Sequence, residues 1–469
     1  MCLANRNLVT VDDLSNGEIE ALFSLSDEMS DSLNKQSGVC QGKIMASLFF
    51  EPSTRTRLSF EAAMHRLGGS VVSTVDIGTA SLAKGESIAD MARVVGSYAD
   101  IIVIRHPWEG AAKVAADYAG VPVINAGDGS HEHPTQTLCD LYTIKKEKQT
   151  IEGLNIALCG DLKHGRTIHS LTYALARFGA TIHFRPSPGL ELPEHVKRKL
   201  TTEYTGRLES YDSLGDTAKV RLFPLDAIYM TPSKPHQLAN IPGVSLQIEL
   251  KTGVDALYVT RLQKERLMAT AEDQDLKTDY PVIDRKFLKG KEFKRTLVMH
   301  PLPRVGELAY EMDADPRSMY FKQAARGVPI RMALIALLLG TKEVSIPEED
   351  DSFVHKIDYP VYRRNFGVKC QNRNCVSFNE ARYIKPEFEI VNLEPLTLRC
   401  VYCEHEVNPP YIASSDWHEG RTDTKKYHSA DSHWARQIRP ENLIIFDSGS
   451  EAEAHGFKPS HYARGYDLG

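Results

Sequence analysis

Residues 43 to 67 restrict the possible folds more than any other stretch. Lys43-Ile44-Met45-Ala46-Ser47-Leu48-Phe49 is a short apolar run that reads as a buried strand. Leu58, Ala62, Met64 and Leu67 then recur at helical spacing until Gly68-Gly69 ends the pattern. Ser53-Thr54-Arg55-Thr56 therefore occupies a strand-to-helix turn, where free N–H groups and the positive end of the helix dipole converge. Hydroxyls and a guanidinium placed there can cradle a phosphate. Taken alone, the same residues could cap the helix while Arg55 and Arg57 face water.

Strands and helices keep alternating beyond this turn. Ile101-Ile102-Val103-Ile104 is an apolar strand ending at Arg105, and a helix over 135–146 follows His133. Asn155-Ile156-Ala157-Leu158-Cys159 opens a second unit, with its helix over 166–178 and Thr181-Ile182-His183-Phe184 as its next strand. Such alternation predicts an α/β chain with two doubly wound parallel-sheet domains, whose ligands gather beyond the carboxyl ends of the strands. Ser53, Arg105 and His133 all fall there. Ala256-Leu257-Tyr258-Val259-Thr260 nearly repeats Ala227-Ile228-Tyr229-Met230-Thr231, so residues 232–256 read as an insertion that duplicates a strand edge.

A net charge of -6 provides no general basic surface, so no nucleic acid is expected as a partner. The apolar run at 332–339 is too short to span a membrane and ends in Gly340. Met1-Cys2-Leu3-Ala4-Asn5-Arg6 lacks the apolar core of a signal peptide, and a cytoplasmic location is expected. Cys370, Cys375, Cys400 and Cys403 form two close pairs, while the other four cysteines are scattered. That spacing predicts one four-thiolate structural zinc site rather than a disulfide scaffold.

Ser53-Thr54-Arg55-Thr56-Arg57 after a strand resembles the carbamoyl-phosphate signature of the aspartate and ornithine carbamoyltransferases. Lys84-Gly85-Glu86, Arg105-His106-Pro107, His133-Pro134-Thr135-Gln136, 160–167, Arg261-Leu262-Gln263 and His300-Pro301-Leu302-Pro303-Arg304 resemble further motifs of that family, in the family's order. The resemblance covers about residues 1–340. It implies that Ser53, Thr54, Arg55 and Thr56 hold the phosphate, and that Arg105 reaches phosphate and carbonyl oxygen together. It further implies that His133 donates to the carbonyl oxygen and that Gln136 binds the carbamoyl amide. Lys84, with Ser81 as the serine before it, would reach into a neighbouring subunit's site, in a homotrimer with shared active sites that could pair into a dimer of trimers. Arg55, Thr56, Lys84, Arg105 and His133 are the implied catalytic set, with no cofactor for catalysis.

The second substrate separates the branches. Aspartate carries two carboxylates and calls for bidentate arginines. Arg166 and Arg261 fit, with Gln263, Lys84 and the Pro301-Leu302 carbonyls as further contacts. Ornithine enzymes usually carry His-Cys-Leu-Pro where this chain has His300-Pro301-Leu302-Pro303, so the resemblance points to transfer of a carbamoyl group to aspartate, in pyrimidine synthesis. A carbamoyltransferase for another amine, and a silent scaffold whose tail binds a partner, are the rival readings.

The tail carries a second resemblance. Cys-Gln-Asn-Arg-Asn-Cys from Cys370 and Cys-Val-Tyr-Cys from Cys400 are similar to the metal domain of the bacterial aspartate carbamoyltransferase regulatory chain. No segment between 340 and 353 has the length of that chain's nucleotide domain, so no response to ATP, CTP or UTP is expected. The expected divisions are 1–148 for carbamoyl phosphate, 149–340 for aspartate with a helix over 324–340 packing back on the first domain, a linker over 341–352, a β-rich zinc domain over 353–410, and a small C-terminal module over 411–469.

Overall fold

The computed structural model describes residues 3–74, 85–163, 165–187, 189–205, 208–210, 226–231, 254–261, 282–347, 352–364, 366–415, 425–433, 437–461 and 463. Ser81, Lys84, Gln263 and most of 232–256 lie outside the described residues. The chain opens with a single 3-10 turn, Val11–Asp13, and helix α1 (Asn16–Asp31) starts only after Ser15. Ser15 halts the turn because its hydroxyl accepts from Glu18 N (3.2 Å) while the Glu18 carboxylate accepts from Ser15 N (2.9 Å). This reciprocal capping box sets the helix start at Asn16.

The first sheet contains β1 (Ile44–Phe49), β2 (Ser70–Thr74), β3 (Ile101–His106) and β4 (Val123–Asp128), in the order β2-β1-β3-β4 and parallel throughout. Helices α2 (Thr54–Arg66), α3 (Ile88–Gly96), α4 (Ala111–Tyr118) and α5 (Pro134–Lys148) accompany it. β1, β3 and β4 are almost wholly buried, as strands covered on both faces must be.

The second sheet is also parallel, with order β10-β9-β8-β5-β6-β7. Its strands are β5 (Asn155–Gly160), β6 (Thr181–Pro186), β7 (Leu208–Ser210), β8 (Ala227–Met230), β9 (Ala256–Val259) and β10 (Leu297–Met299), with α6 (Arg166–Arg177) and α7 (Glu194–Glu203) between them. The two near-identical segments are neighbours: β8 and β9 pair in register, Tyr229 opposite Tyr258. Helix α8 (Tyr320–Leu338) packs against α1, α2 and α5, and Arg331 lies 5.0 Å over the Phe60 ring of α2.

Two four-stranded sheets form the tail. β11 (Val361–Arg363), β12 (Glu387–Leu393), β13 (Leu396–Cys400) and β14 (Glu406–Val407) are antiparallel and carry the four cysteines or their flanks. β15 (Tyr411–Ser414), β16 (Lys426–Ser429), β17 (Leu443–Phe446) and β18 (Lys458–Pro459) form the last, in the order β17-β15-β16-β18.

The cysteine-bearing sheet docks on both α/β units of its own chain. Glu109 N donates to Asn374 O and Val376 N to Glu109 O, each at 2.8 Å, while the Glu380 carboxylate accepts from Ile88 N at 2.9 Å. Gly110 permits this approach: its φ is +83°, and a Cβ there would lie 2.5 Å from Tyr402 Cβ. On the second unit, Arg399 pairs with Glu203 (2.6 Å) and Arg198 with Glu406 (3.1 Å). Between the two units, the Lys199 ammonium binds Glu404 (2.7 Å) and Asp12 (3.1 Å), and His131 Nε2 lies 3.8 Å from Glu404. Burial alone would raise the Glu404 carboxyl, but Lys199, His131 and Arg399 hold it well below the usual carboxylate range. Burial likewise works against the Lys199 ammonium, and Glu404 and Asp12 raise its pKa well above normal.

Glu404→Ala leaves Lys199 and His131 buried with one carboxylate fewer, and should destabilise the protein by about 3–5 kcal/mol in thermal or urea unfolding. Because the Glu404 pKa is depressed, its contribution is present above about pH 4.3 and is lost as the pH falls further. A loss below about 1 kcal/mol in the variant would show that the cluster is hydrated rather than sealed.

Candidate active site

The turn after β1 has the geometry that its sequence suggests. Ser53 is the N-cap residue of α2 but makes no side-chain cap bond, so its hydroxyl is not spent on the helix. The N–H groups of Thr54, Arg55 and Thr56 fall in the first helical turn, where intrahelical acceptors are lacking. Arg55 is exposed on this turn. Partial burial lowers its pKa, and the charge of Arg261 lowers it further. The two arginines come from different sheets, Arg55 after β1 and Arg261 two residues past β9. Two cations that act on each other from different sheets suit an anionic ligand.

Arg105 is the next-to-last residue of β3, at the carboxyl end of the strand beside β1. Its Nη1 donates to Ala126 O (3.1 Å) and its Nη2 to Glu51 Oε1 (3.0 Å), while His133 Nε2 lies 3.5 Å from Nη1. Both Arg105 and His133 are at least nine-tenths buried. Gly127 makes room for the pair: at φ +118°, a Cβ there would lie 3.0 Å from Arg105 Nη1 and 3.4 Å from His133 Cδ2. His133 is the N-cap residue of α5, followed by Pro134 in the first turn. Its backbone N donates to Ser170 Oγ at 3.3 Å, which ties this helix start to α6. Glu51 was not singled out from the sequence, although its place at the strand end beside Ser53 could have suggested a partner for Arg105.

Gln136 turns its amide nitrogen along α5 to Asp140 Oδ1 at 2.8 Å, one helical turn on. The carboxamide oxygen is then the atom that can accept from a ligand. Asp140 is almost wholly buried, and it also accepts from Gln323 Nε2 (3.0 Å) and from Tyr258 OH (3.1 and 3.0 Å to its two oxygens). Burial pushes its carboxyl up to about 7, against the pull of those three donors. Sequence reading missed Asp140, although its i+4 spacing from Gln136 is a signal.

The second sheet brings its own residues to the carboxyl ends of its strands. Arg166 opens α6 after β5; its backbone is described. His300 follows β10, and its ring accepts from Leu302 N through Nδ1 (2.7 Å) and donates through Nε2 to Glu307 (2.8 Å). Those bonds hold the half-buried Pro301 and Leu302 in a tight turn, with Leu302 at φ +55°. Tyr229 stacks on Tyr258 with ring centroids 4.2 Å apart, and its hydroxyl donates to Thr167 Oγ1 (3.3 Å), beside Arg166.

The four tail cysteines form a separate centre. Their sulfurs lie within 4.8 Å of one another and all four are buried, with Cys370–Cys403 at 3.6 Å and Cys375–Cys400 at 3.8 Å. A tetrahedron of Zn–S bonds near 2.3 Å has sulfur–sulfur edges of about 3.8 Å. Four thiols packed this closely cannot all ionise without a cation among them, so the donor set fits a metal ion.

Comparison with known proteins agrees with this geometry. Residues 6–146 match the carbamoyl-P binding domain of aspartate/ornithine carbamoyltransferases, and residues 237–338 match their Asp/Orn binding domain. Residues 364–412 match the metal binding domain of the aspartate carbamoyltransferase regulatory chain. An aspartate carbamoyltransferase catalytic subunit from Thermoplasma acidophilum is 45% identical over 340 residues, spanning 72% of this chain and 99% of the relative. One from Clostridium botulinum strain Loch Maree is 44% identical over 341 residues, 72% and 100% of the two chains. Among solved structures, the catalytic subunit of M. jannaschii aspartate transcarbamoylase is 41% identical with a TM-score of 0.57, covering 71% of this chain and 98% of its own. Aspartate transcarbamoylase from Trypanosoma cruzi, in complex with carbamoyl phosphate and aspartate, is 35% identical with a TM-score of 0.57, covering 72% and 98%. With two α/β units that align over nearly the whole length of these relatives and a metal-binding unit joined behind them, this chain belongs to the aspartate carbamoyltransferase family.

Proposed function

We propose that this chain transfers the carbamoyl group of carbamoyl phosphate to the amine of L-aspartate, giving N-carbamoyl-L-aspartate and phosphate, the reaction that commits carbamoyl groups to pyrimidine synthesis. The observation that carries this reading is the buried pair Arg105 and His133, 3.5 Å apart, with Arg105 fixed by Ala126 O and Glu51 at a strand end of the same sheet whose β1 leads into the turn bearing Arg55. Two anionic substrates offset the repulsion between Arg55 and Arg261.

In the proposed mechanism, Ser53, Thr54, Arg55 and Thr56 hold the phosphate against the α2 N-terminus. Arg105, anchored by Glu51 and Ala126 O, spans the phosphate and the carbamoyl oxygen, and His133 donates to that oxygen. Gln136 accepts from the carbamoyl nitrogen, and the carbonyls of Pro301 and Leu302 steer the attacking amine. Arg166, Arg261 and Gln263 bind the aspartate carboxylates, with Lys84 reaching both substrates and Ser81 the phosphate. The amine nitrogen attacks the carbamoyl carbon, and negative charge builds on its oxygen beside Arg105 and His133. The bond from carbon to the bridging oxygen then breaks, and the leaving phosphate takes up the amine proton. Alignment of the two substrates and stabilisation of that charge are the protein's contributions.

The cysteine-bearing sheet is assigned structural zinc, the cytoplasm is the expected compartment, and the divisions given by sequence remain the proposed domains. Zinc analysis should find one ion per chain, and its removal should lower the melting temperature by several degrees without abolishing transfer. Transfer lost in proportion to zinc would place the metal in the chemistry.

Steady-state assay with carbamoyl phosphate should give product with aspartate and none with ornithine. Arg55→Ala should lower kcat/KM about 1000-fold with the fold intact, as removal of a preorganised cation from an oxyanion site does. Product from ornithine or another amine would overturn the acceptor assignment; near-normal turnover of R55A would remove the phosphate assignment. The order of strands gives that acceptor question substance, since the repeated β8 lies between the strands leading to Arg166 and Arg261.

Shared sites can be tested by mixing. Inactive Lys84→Ala chains and inactive Arg55→Ala chains, dissociated and reassembled together, should regain part of the activity, because some sites combine an intact Arg55 with a neighbour's intact Lys84. Mixed assemblies that stay inactive would mean that each site is built from one chain.

A further inference from the structure

Gln136 and Gln323 each carry an amide that could point either way, and chemistry alone does not choose. Asp140 chooses for both. A carboxylate only accepts, so each glutamine must turn its nitrogen to Asp140 Oδ1, at 2.8 Å for Gln136 and 3.0 Å for Gln323. Tyr258, from the second of the two repeated strands, also donates to that carboxylate. Its in-register counterpart Tyr229 turns instead to Thr167.

The consequence appears on the opposite side of each amide. Gln323 Oε1 accepts from His300 N at 3.0 Å, which seats the turn bearing Pro301 and Leu302. Gln136 presents its oxygen away from Asp140, where it can accept an N–H but cannot donate one. We propose that Asp140 is a positioning residue for carbamoyl transfer that sets the donor–acceptor sense of the pocket, so that Gln136 reads the –NH2 of the carbamoyl group as a donor and disfavours donors or a methyl group at that place. This rests on the function proposed above, in which carbamoyl phosphate is the donor substrate.

Asp140→Leu keeps about the same size and removes both acceptor oxygens, whereas an asparagine could keep both glutamines on its one oxygen while the Tyr258 hydroxyl turned to accept. Without that acceptor the Gln136 amide is free to flip and confront the carbamoyl –NH2 with its own –NH2. Acetyl phosphate, in which a methyl group replaces that –NH2, and inorganic phosphate, which lacks the whole group, should be indifferent to the change. Tyr258→Phe leaves the carboxylate and both glutamines in place, so it should retain the wild-type preference.

The experiment compares the KM of carbamoyl phosphate with the inhibition constants of acetyl phosphate and inorganic phosphate at about pH 8, where Asp140 is ionised. In D140L the KM should rise about tenfold, the loss of one hydrogen bond to the substrate, while both inhibition constants stay within about twofold. Equal shifts in all three would show a merely structural role, and no shift in any would show that Asp140 does not act on the pocket. Gln136→Leu supplies a measurement that does not depend on how well D140L folds. It should erase the preference for carbamoyl over acetyl phosphate, and a retained preference would overturn the inference. A wild-type protein that turned over no carbamoyl phosphate would instead remove the proposed function itself.

Discussion

The Lys199 ammonium sits where three parts of the chain meet. It lies between Asp12, before α1, and Glu404, in the loop that follows Cys403, and it is itself carried on α7 of the second α/β unit. A buried ammonium is stable only with close anionic partners, and here one partner comes from each neighbouring part. The angle between the two parallel sheets is thereby coupled to the seating of the tail. The proposed active site spans both sheets, because Arg55 and Arg105 belong to one and Arg261 to the other.

Covalent attachment makes this arrangement economical. A metal-binding unit on a separate chain must find its site by diffusion, whereas a tethered one is held at high effective concentration. Its contacts reach both α/β units: Asn374 and Glu380 engage the 88–110 region, and Arg399 and Glu406 engage α7. The cysteine-bearing unit shares one buried apolar cluster with the first α/β unit, Phe388 and Leu398 packing in the same core as Ile102 and Ile104, and its four sulfurs, next to Glu404 in the chain, fit a metal ion.

The repeated strand has a similar economy. β8 and β9 are nearly the same in sequence and lie side by side in register, yet their tyrosines have different tasks. Tyr258 joins Asp140 and the first unit, while Tyr229 reaches Thr167 at the start of α6. A parallel sheet tolerates an added strand because each ladder is local to its two neighbours, but the side chains above the strand ends must then be shared out anew.

Much was legible in the residues alone. Apolar runs alternating with helical periodicity determined two parallel sheets, Ser53 to Thr56 determined a strand-to-helix turn after the first strand, and the spacing of Cys370, Cys375, Cys400 and Cys403 determined a four-sulfur centre. Each is a local property: strand period, helix capping and ligand spacing act over a few residues. Tertiary structure alone decided that the charge of Arg261 acts on Arg55, that Asp140 collects Gln136, Tyr258 and Gln323, and that Glu404 pairs with Lys199. Those contacts join residues 118 to 205 positions apart for Tyr258, Gln323 and Glu404 with their partners. The physical reason is that a side-chain carboxylate or amide has no fixed role in sequence; three converging donors, working against burial, favour the Asp140 carboxylate as an acceptor and turn each glutamine one way.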